Sequence, residues 1–144
     1  MFTLKDIYKI NTKRNMVLLR GTYDLRTNQM NGEWEEISSP YLIISETELE
    51  FNSAVSPSAS QSYTVYGKNT YNDLTIYPSE NFKISTDNAT WEDEIVIPQV
   101  NGEIPETTIY VRMKVSGNGS YTGKITHFIA YMDRYYIKLT GVKY

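Results

Sequence analysis

Cysteine is absent from the 144 residues of this chain, and histidine occurs once, as His127. Without cysteine the chain has no disulfide framework, no thiolate nucleophile and no zinc–thiolate site. A lone histidine cannot build a multi-histidine metal site, and the Ser-His-Asp triad that stays formally open lacks a nucleophile-elbow sequence. We therefore predict that the chain is not an enzyme and carries no cofactor. We expect His127 to be a strand residue near the surface of a sheet.

A strong excess of positive charge and a long apolar run are also missing. The net charge is −3, whereas binding to nucleic acid phosphates requires a dense basic surface. No apolar stretch is long enough to span a bilayer. Residues 1–7 lack the basic segment, apolar core and cleavage site of a signal peptide. We therefore expect neither nucleic acid nor a membrane as a partner, and a protein that is made in a cytoplasm.

Acidic residues occur in two groups, Glu46, Glu48 and Glu50 along one strand, and four carboxylates around Trp91 within residues 87–94. Calcium requires about six to eight oxygen ligands from a loop of fixed spacing, usually with a glycine at its sharp bend. The second group lacks that glycine. We therefore predict solvated charges that discourage edge-to-edge pairing of sheets, and no metal site.

Apolar and polar side chains alternate with period two from residue 41 onward. In the clearest run, Ile109, Val111, Met113 and Val115 share one side of a strand, whereas a helix would scatter them around its circumference. Residues 41–51 are predicted to form a strand that breaks or bends near Glu46. Shorter alternating runs, separated by turn residues, occupy residues 63–66, 74–77, 82–84, 95–97, 123–130 and 135–140. This spacing predicts an all-β sandwich or barrel with no helix after residue 40.

The first 40 residues follow a different pattern. Residues 16–23 predict a strand, residues 27–32 a polar turn and residues 34–37 a returning strand. The stretch is too short to form a core of its own, so it either docks on the β domain or extends as an arm that becomes ordered on a partner. We place the boundary at Pro40, with an attachment arm or small β extension over 1–40 and the β domain over 41–144.

The strand-like segments between Leu42 and Tyr144 follow, in their order and spacing, the pattern of a known type of β-domain repeat. The segments concerned are Leu42-Ile43-Ile44-Ser45, Leu49-Glu50-Phe51, Ser62 to Asn69, Leu74-Thr75-Ile76, Phe82-Lys83-Ile84-Ser85, Trp91, Ile95, Ile97, Ile109 to Lys114, Gly119 to Thr126, and Ile137 to Gly141. They resemble the immunoglobulin-like β-sandwich repeats of surface and exported proteins of Bacteroidota. The resemblance implies an antiparallel, immunoglobulin-like sandwich without a family active site.

Two departures from that family shape the functional expectation. The repeats usually lie in long exported chains behind a signal peptide, and they have no counterpart to residues 1–40. Immunoglobulin-like domains of cytoplasmic origin are common in tailed-phage virions, so the leading expectation is an auxiliary or decoration protein of a phage capsid, located in the virion and bound to other virion proteins. The alternative is a carbohydrate-binding or adhesion module of a bacterial surface protein, with host-surface glycans as ligands.

Tyrosine is the abundant aromatic residue, with thirteen tyrosines against four phenylalanines. Exposed tyrosine and tryptophan side chains anchor interfaces or stack on sugars. Trp91 is expected to fill the core of the sandwich, whereas basic residues of the first segment could lie across an acidic neighbouring subunit or be ordinary solvated charges. The predicted interface residues are Arg14, Arg20, Tyr23, Trp34, Tyr131, Tyr135 and Tyr136.

Overall fold

The computed structural model describes residues 16–24, 29–36 and 39–144. The chain divides into two compact units, Met1–Ser39 and Pro40–Tyr144. No helix occurs in the described segments, and so none of the described residues belongs to a helix of the length and apolar character that crossing a bilayer requires.

The first unit contains an antiparallel pair of strands, β1 (Met16–Asp24) and β2 (Gln29–Glu36), with an irregularity in the register between Leu18 and Arg20. The prediction of a polar turn over 27–32 is wrong for its last four residues, because residues 29–32 belong to β2. Asn31 pairs with Thr22, and Gly32 pairs with Gly21. Backbone pairing with β1, rather than an apolar alternation, defines this part of the strand. Residues 25–28 and 37 lie outside the described residues.

The second unit is an immunoglobulin-like β-sandwich, as predicted. Its strands are β3 (Tyr41–Ile44), β4 (Glu48–Ser53), β5 (Gln61–Lys68), β6 (Leu74–Pro78), β7 (Phe82–Ser85), β8 (Ile95–Ile97), β9 (Glu103–Met113), β10 (Gly119–Phe128) and β11 (Tyr135–Lys143). One sheet has the order β3-β5-β9-β7, and the other has the order β4-β11-β10-β6-β8. The first order corresponds to the A-B-E-D sheet of immunoglobulin domains, and β6, β10 and β11 correspond to strands C, F and G.

The predicted break near Glu46 is the point at which the chain changes sheets. β3 pairs antiparallel with β5 in one sheet, and β4 pairs parallel with β11 in the other. A single segment of the chain therefore lines an edge of both sheets.

The core confirms the period-two analysis. Ile109, Val111 and Met113 are fully buried on the inner side of β9, and Val115 continues the series after the strand ends. The remaining buried apolar side chains are Leu42, Leu49, Phe51, Tyr63, Val65, Leu74, Ile76, Phe82, Ile84, Ile95, Ile97, Ile104, Ile125, Ile129, Ile137 and Leu139. Both sheets contribute to this cluster, so it is the hydrophobic interior of one sandwich.

A tyrosine corner closes the connection between β9 and β10. The hydroxyl of Tyr121 donates a 2.8 Å hydrogen bond to the carbonyl of Gly117, four residues upstream. Tyr121 also packs against the core. Immunoglobulin domains use this arrangement near the start of strand F, so the local geometry agrees with the strand correspondence.

Candidate interaction surfaces

The predicted interface residues of the first 40 residues are placed only in part. Arg20 and Tyr23 belong to β1 and Trp34 to β2, where Trp34 is opposite Leu18 and Tyr23 is opposite Met30 in the register. Arg14 lies outside the described residues. These positions put three of the four candidates on one hairpin.

The three C-terminal tyrosines do not form one patch. Tyr131 lies in the connection between β10 and β11, and its side chain is completely exposed. Tyr135 is the first residue of β11 and lies on the same side of the strand as the buried Ile137. Tyr136 lies on the other side, which faces away from the core. Sequence proximity therefore overstated how closely these rings are grouped.

A groove at the end of the sandwich brings Tyr131 together with a tyrosine distant in sequence, Tyr71. We call it the tip groove; it has a volume of about 210 Å³ and is lined by Pro40, Thr70, Tyr71, Ile129, Tyr131 and Met132, among others. Tyr71 is 79% exposed and Tyr131 100% exposed. The two rings thus border an apolar depression built from two different connections between strands.

The backbone at the tip groove is unusual at Tyr131. This residue has φ +66°, a left-handed conformation that is strained for a bulky side chain and that glycine or asparagine adopts readily. Strained residues are concentrated at functional sites, where the surroundings impose them. A fully exposed tyrosine in this conformation gains nothing from burial, so its ring is available for contact with another molecule.

The outer face of the larger sheet presents a second aromatic arrangement, which we call the tyrosine row. Thr126 on β10 is paired with Tyr77 on β6 and with Tyr136 on β11. Thr126 is buried although it faces away from the core, whereas both tyrosines are exposed. Because neighbouring strands are about 4.8 Å apart, the two tyrosine backbones are separated by roughly 10 Å. The Nζ atom of Lys124 lies 4.4 Å from the centre of the Tyr136 ring, in a cation–π contact.

His127 corrects the prediction of a residue near the sheet surface. Its side chain is fully buried, and Nε2 lies 2.7 Å from the hydroxyl of Tyr63 on the opposite sheet. Nδ1 lies 3.2 Å from the carbonyl oxygen of Tyr135. A carbonyl only accepts, so Nδ1 carries the proton and Nε2 accepts from Tyr63. Burial lowers the pKa of His127 to about 4 against the opposing effect of the Tyr135 hydrogen bond.

This arrangement leaves His127 without a path to a substrate. Both ring nitrogens have partners inside the core, and burial also raises the pKa of Tyr63 well above its ordinary value. The pair bridges the two sheets between strands B and F, where antibody domains place a disulfide. The alternation along β10 indicates the buried position of His127, since Ile125, His127 and Ile129 are two residues apart and lie on the same, inward side.

Trp91 corrects a second prediction, because it does not fill the core. Its ring is half-buried outside the sandwich and stacks on the guanidinium of Arg112, with Cζ 4.2 Å from the ring centre. The carboxylates that follow Trp91 keep this segment in solvent, whereas shorter aliphatic side chains fill the interior. The tryptophan is therefore a partly covered surface residue.

The acidic segment 87–94 is organised by its own hydrogen bonds. Asp87 Oδ1 accepts from the backbone N–H of Thr90 at 2.7 Å, from that of Ala89 at 2.8 Å and from the Ser85 hydroxyl at 2.8 Å. These donors, Thr90 first, hold the pKa of Asp87 well below its usual range. Among the described residues no three or more His, Asp or Glu side chains are grouped to hold a metal ion.

Comparison with known proteins gives similarity of structure only. No family model and no curated protein matches the chain. Among solved structures, a Bacteroides ovatus xyloglucanase of glycoside hydrolase family 5 is 15% identical over 72% of this chain and 19% of its own, with a TM-score of 0.46. The CooA pilin subunit of enterotoxigenic Escherichia coli is 10% identical over 74% of this chain and 99% of its own, with a TM-score of 0.44.

The periplasmic chaperone SfaE is 9% identical over 72% of this chain and 57% of its own, again with a TM-score of 0.44. This chain thus spans about a fifth of the xyloglucanase and about half of the chaperone. Similarity at this level assigns neither an activity nor a ligand.

Proposed function

We propose that the chain is a non-enzymatic virion structural protein, an auxiliary or decoration protein of a tailed-phage particle that attaches through its first 40 residues and displays the immunoglobulin-like sandwich. The division into two compact units supports this proposal, because the unit Pro40–Tyr144 has a complete core of its own. The only histidine is used inside that core, which favours a role in binding over catalysis.

The tip groove is the observation on which this proposal mainly depends. Tyr71 and Tyr131 expose most of their ring area beside the apolar side chains of Ile129 and Met132. Tyrosine covers a large area at a low cost in side-chain entropy, because only two torsion angles are fixed on binding. A displayed domain that binds with its tip would use such rings as its main contacts.

Co-sedimentation with phage particles tests the attachment. The full chain and the segment 40–144 would each be mixed with particles that lack the protein. We expect the full chain to sediment with the particles and the segment 40–144 to stay in the supernatant while circular dichroism shows it folded. Sedimentation of the shorter segment would place the attachment in the sandwich and overturn the assignment to residues 1–40.

The tyrosine row favours a second function, that of a carbohydrate-binding or adhesion module. Tyr77 and Tyr136 lie on the outer face of the larger sheet, on either side of the buried Thr126, with their backbones roughly 10 Å apart. Flat aromatic rings stack on sugar faces, and a pair at this separation can contact two sugar units of a chain. A glycan array would test it: we expect Y77A/Y136A to lose any signal of the native chain and Y71A/Y131A to keep it. Absence of signal from the native chain would count against this function.

A further inference from the structure

A second concave site lies at the end of the sandwich opposite to the tip groove. We call it the lysine pocket; its volume is about 680 Å³, and its polar lining consists of Ser56, Asn81, Lys83, Lys114, Ser116 and Lys143. The three lysines come from β7, from the connection after β9 and from the end of β11. Three positive charges thus converge in a chain whose net charge is −3.

Among the residues that the structure describes, a carboxylate neutralises only one of these three charges. Lys83 forms an ion pair with Asp93. Nζ of Lys143 donates to the carbonyl of Ser116 at 3.3 Å, which orients the ammonium group without neutralising it. Over residues 39–144, no carboxylate lies within ion-pair distance of Lys114 or Lys143. Two ammonium groups in one depression repel each other, and an anion between them would remove that repulsion.

The backbone around the lysine pocket is held by hydrogen bonds from several elements. The N–H of Lys114 donates to the carbonyl of Asn81 at 2.7 Å, and the N–H of Val115 donates to the hydroxyl oxygen of Ser56 at 3.0 Å. Lys143 is paired with Gly119 on one side of β11 and with Ser53 on the other. The backbone of the site is therefore in place before any ligand arrives, which lowers the cost of binding.

We propose that the lysine pocket binds an acidic saccharide, a sugar that carries a phosphate, sulfate or carboxylate group. Lys114 and Lys143 would bind the anion through charge-assisted hydrogen bonds. Hydroxyl and amide groups of Ser56, Asn81 and Ser116 match sugar hydroxyls, since each can donate and accept. The depression is open to solvent and wide enough to hold a sugar together with its anionic group. This inference goes beyond the proposed attachment and display.

Titration of the full chain followed by amide NMR tests the proposal. The probes are glucose 6-phosphate and glucuronic acid, with glucose and inorganic phosphate as reference ligands. We expect the two acidic sugars to shift the amide signals of Lys114, Ser116 and Lys143. We also expect each acidic sugar to bind at least about fivefold more tightly than either reference ligand, because only it contacts both the lysines and the hydroxyl groups.

A matched pair of double variants separates the pocket from general charge effects. K114Q/K143Q and K68Q/K138Q remove the same charge, but the second pair lies outside the pocket, at the end of β5 and on the outer face of β11. We expect the first variant to weaken glucose 6-phosphate binding by about tenfold and the second to leave it within about twofold. Equal weakening by both variants, or equal affinity for glucose 6-phosphate and inorganic phosphate, would overturn the saccharide site. Neither result bears on particle attachment, which is measured separately.

Discussion

The hydroxyl of Tyr63 donates a 2.7 Å hydrogen bond to Nε2 of His127 across the core of the sandwich. Tyr63 belongs to β5 in the smaller sheet and His127 to β10 in the larger one. A domain without cysteine therefore joins its two sheets through a polar contact at the strands that antibody domains join with a disulfide. Because both ring nitrogens are satisfied, the neutral imidazole is stable in the interior.

Acid is expected to destabilise the sandwich through this histidine. The pKa of His127 is about 4 in the folded protein and about 6.5 when the chain is unfolded, so the unfolded chain takes up the proton first. The free energy of unfolding should be unaffected above about pH 6.5 and fall as the pH drops towards 4, by about 3 kcal/mol in total. Urea unfolding at a series of pH values measures this fall, which the variant H127Q should largely abolish. An equal fall in H127Q would contradict the assignment.

Removal of the Tyr63 hydroxyl should destabilise the protein, because His127 then loses its hydrogen-bond donor in the core. The variant Y63F leaves Nε2 of His127 buried without a donor, which costs about 1–3 kcal/mol. Y66F is the matched control, because Tyr66 lies on the same strand with its ring turned away from the core. Chemical denaturation should show a clear loss for Y63F and a change within about 0.5 kcal/mol for Y66F. Similar losses for the two variants would show that the hydroxyl of Tyr63 contributes little.

A methyl group at Gly123 should be poorly tolerated. A Cβ atom there would lie 2.8 Å from Cβ of Ser79 and 3.1 Å from the ring of Phe82. Ser79 cannot easily move away, because its N–H and its hydroxyl oxygen are both hydrogen-bonded to the backbone of Lys124. We expect G123A to lower the unfolding free energy by about 1–3 kcal/mol.

Gly117 provides the control for that substitution, because the nearest atom to an added Cβ there would be the hydroxyl oxygen of Tyr121, at an ordinary contact distance of 3.6 Å. The free energy of unfolding of the variant G117A should lie within about 0.5 kcal/mol of that of the native chain. Thermal or urea unfolding of both variants distinguishes crowding at Gly123 from a general effect of replacing glycine, which would lower the stability of the two variants alike.

Replacement of Tyr131 should separate stability from binding. The variant Y131N places at φ +66° a residue that adopts this conformation more readily, and no packing is lost because the ring is fully exposed. We expect a gain in stability of up to about 1 kcal/mol, together with weaker binding of whatever partner occupies the tip groove. Differential scanning calorimetry measures the first effect, and a lower melting temperature would contradict it.

The strands and core of the sandwich could be predicted from the sequence because they depend on local alternation. Ile109, Val111 and Met113 show the period directly, and the break near Glu46 is visible as an interruption of it. The hairpin was harder to predict, since three of the four residues 29–32 are polar or glycine and their extended conformation depends on pairing with β1. Composition indicated a turn where backbone pairing determines a strand.

The surfaces depend on residues that are far apart in the sequence, and local patterns do not contain that information. Tyr71 and Tyr131 meet at the tip groove from connections sixty residues apart, and Lys83, Lys114 and Lys143 meet only because the start of β7 lies beside the ends of β9 and β11. Trp91 was misplaced for a different reason. Its size favoured burial, but the acidic residues after it keep the segment in solvent.

The change of sheet between β3 and β4 has a mechanical consequence. Pro40 precedes the strand that pairs with the end of β5, whereas Tyr144 donates its N–H to Ser53 at the end of β4, so the two residues lie at opposite ends of the sandwich. A pulling force between them is directed along β4 and β11, whose parallel pairing extends from Glu48 to Ser53. Hydrogen bonds loaded in this way must break together, whereas peeling an edge strand breaks them singly. The domain should therefore resist tension between its ends better than it resists unzipping from an edge.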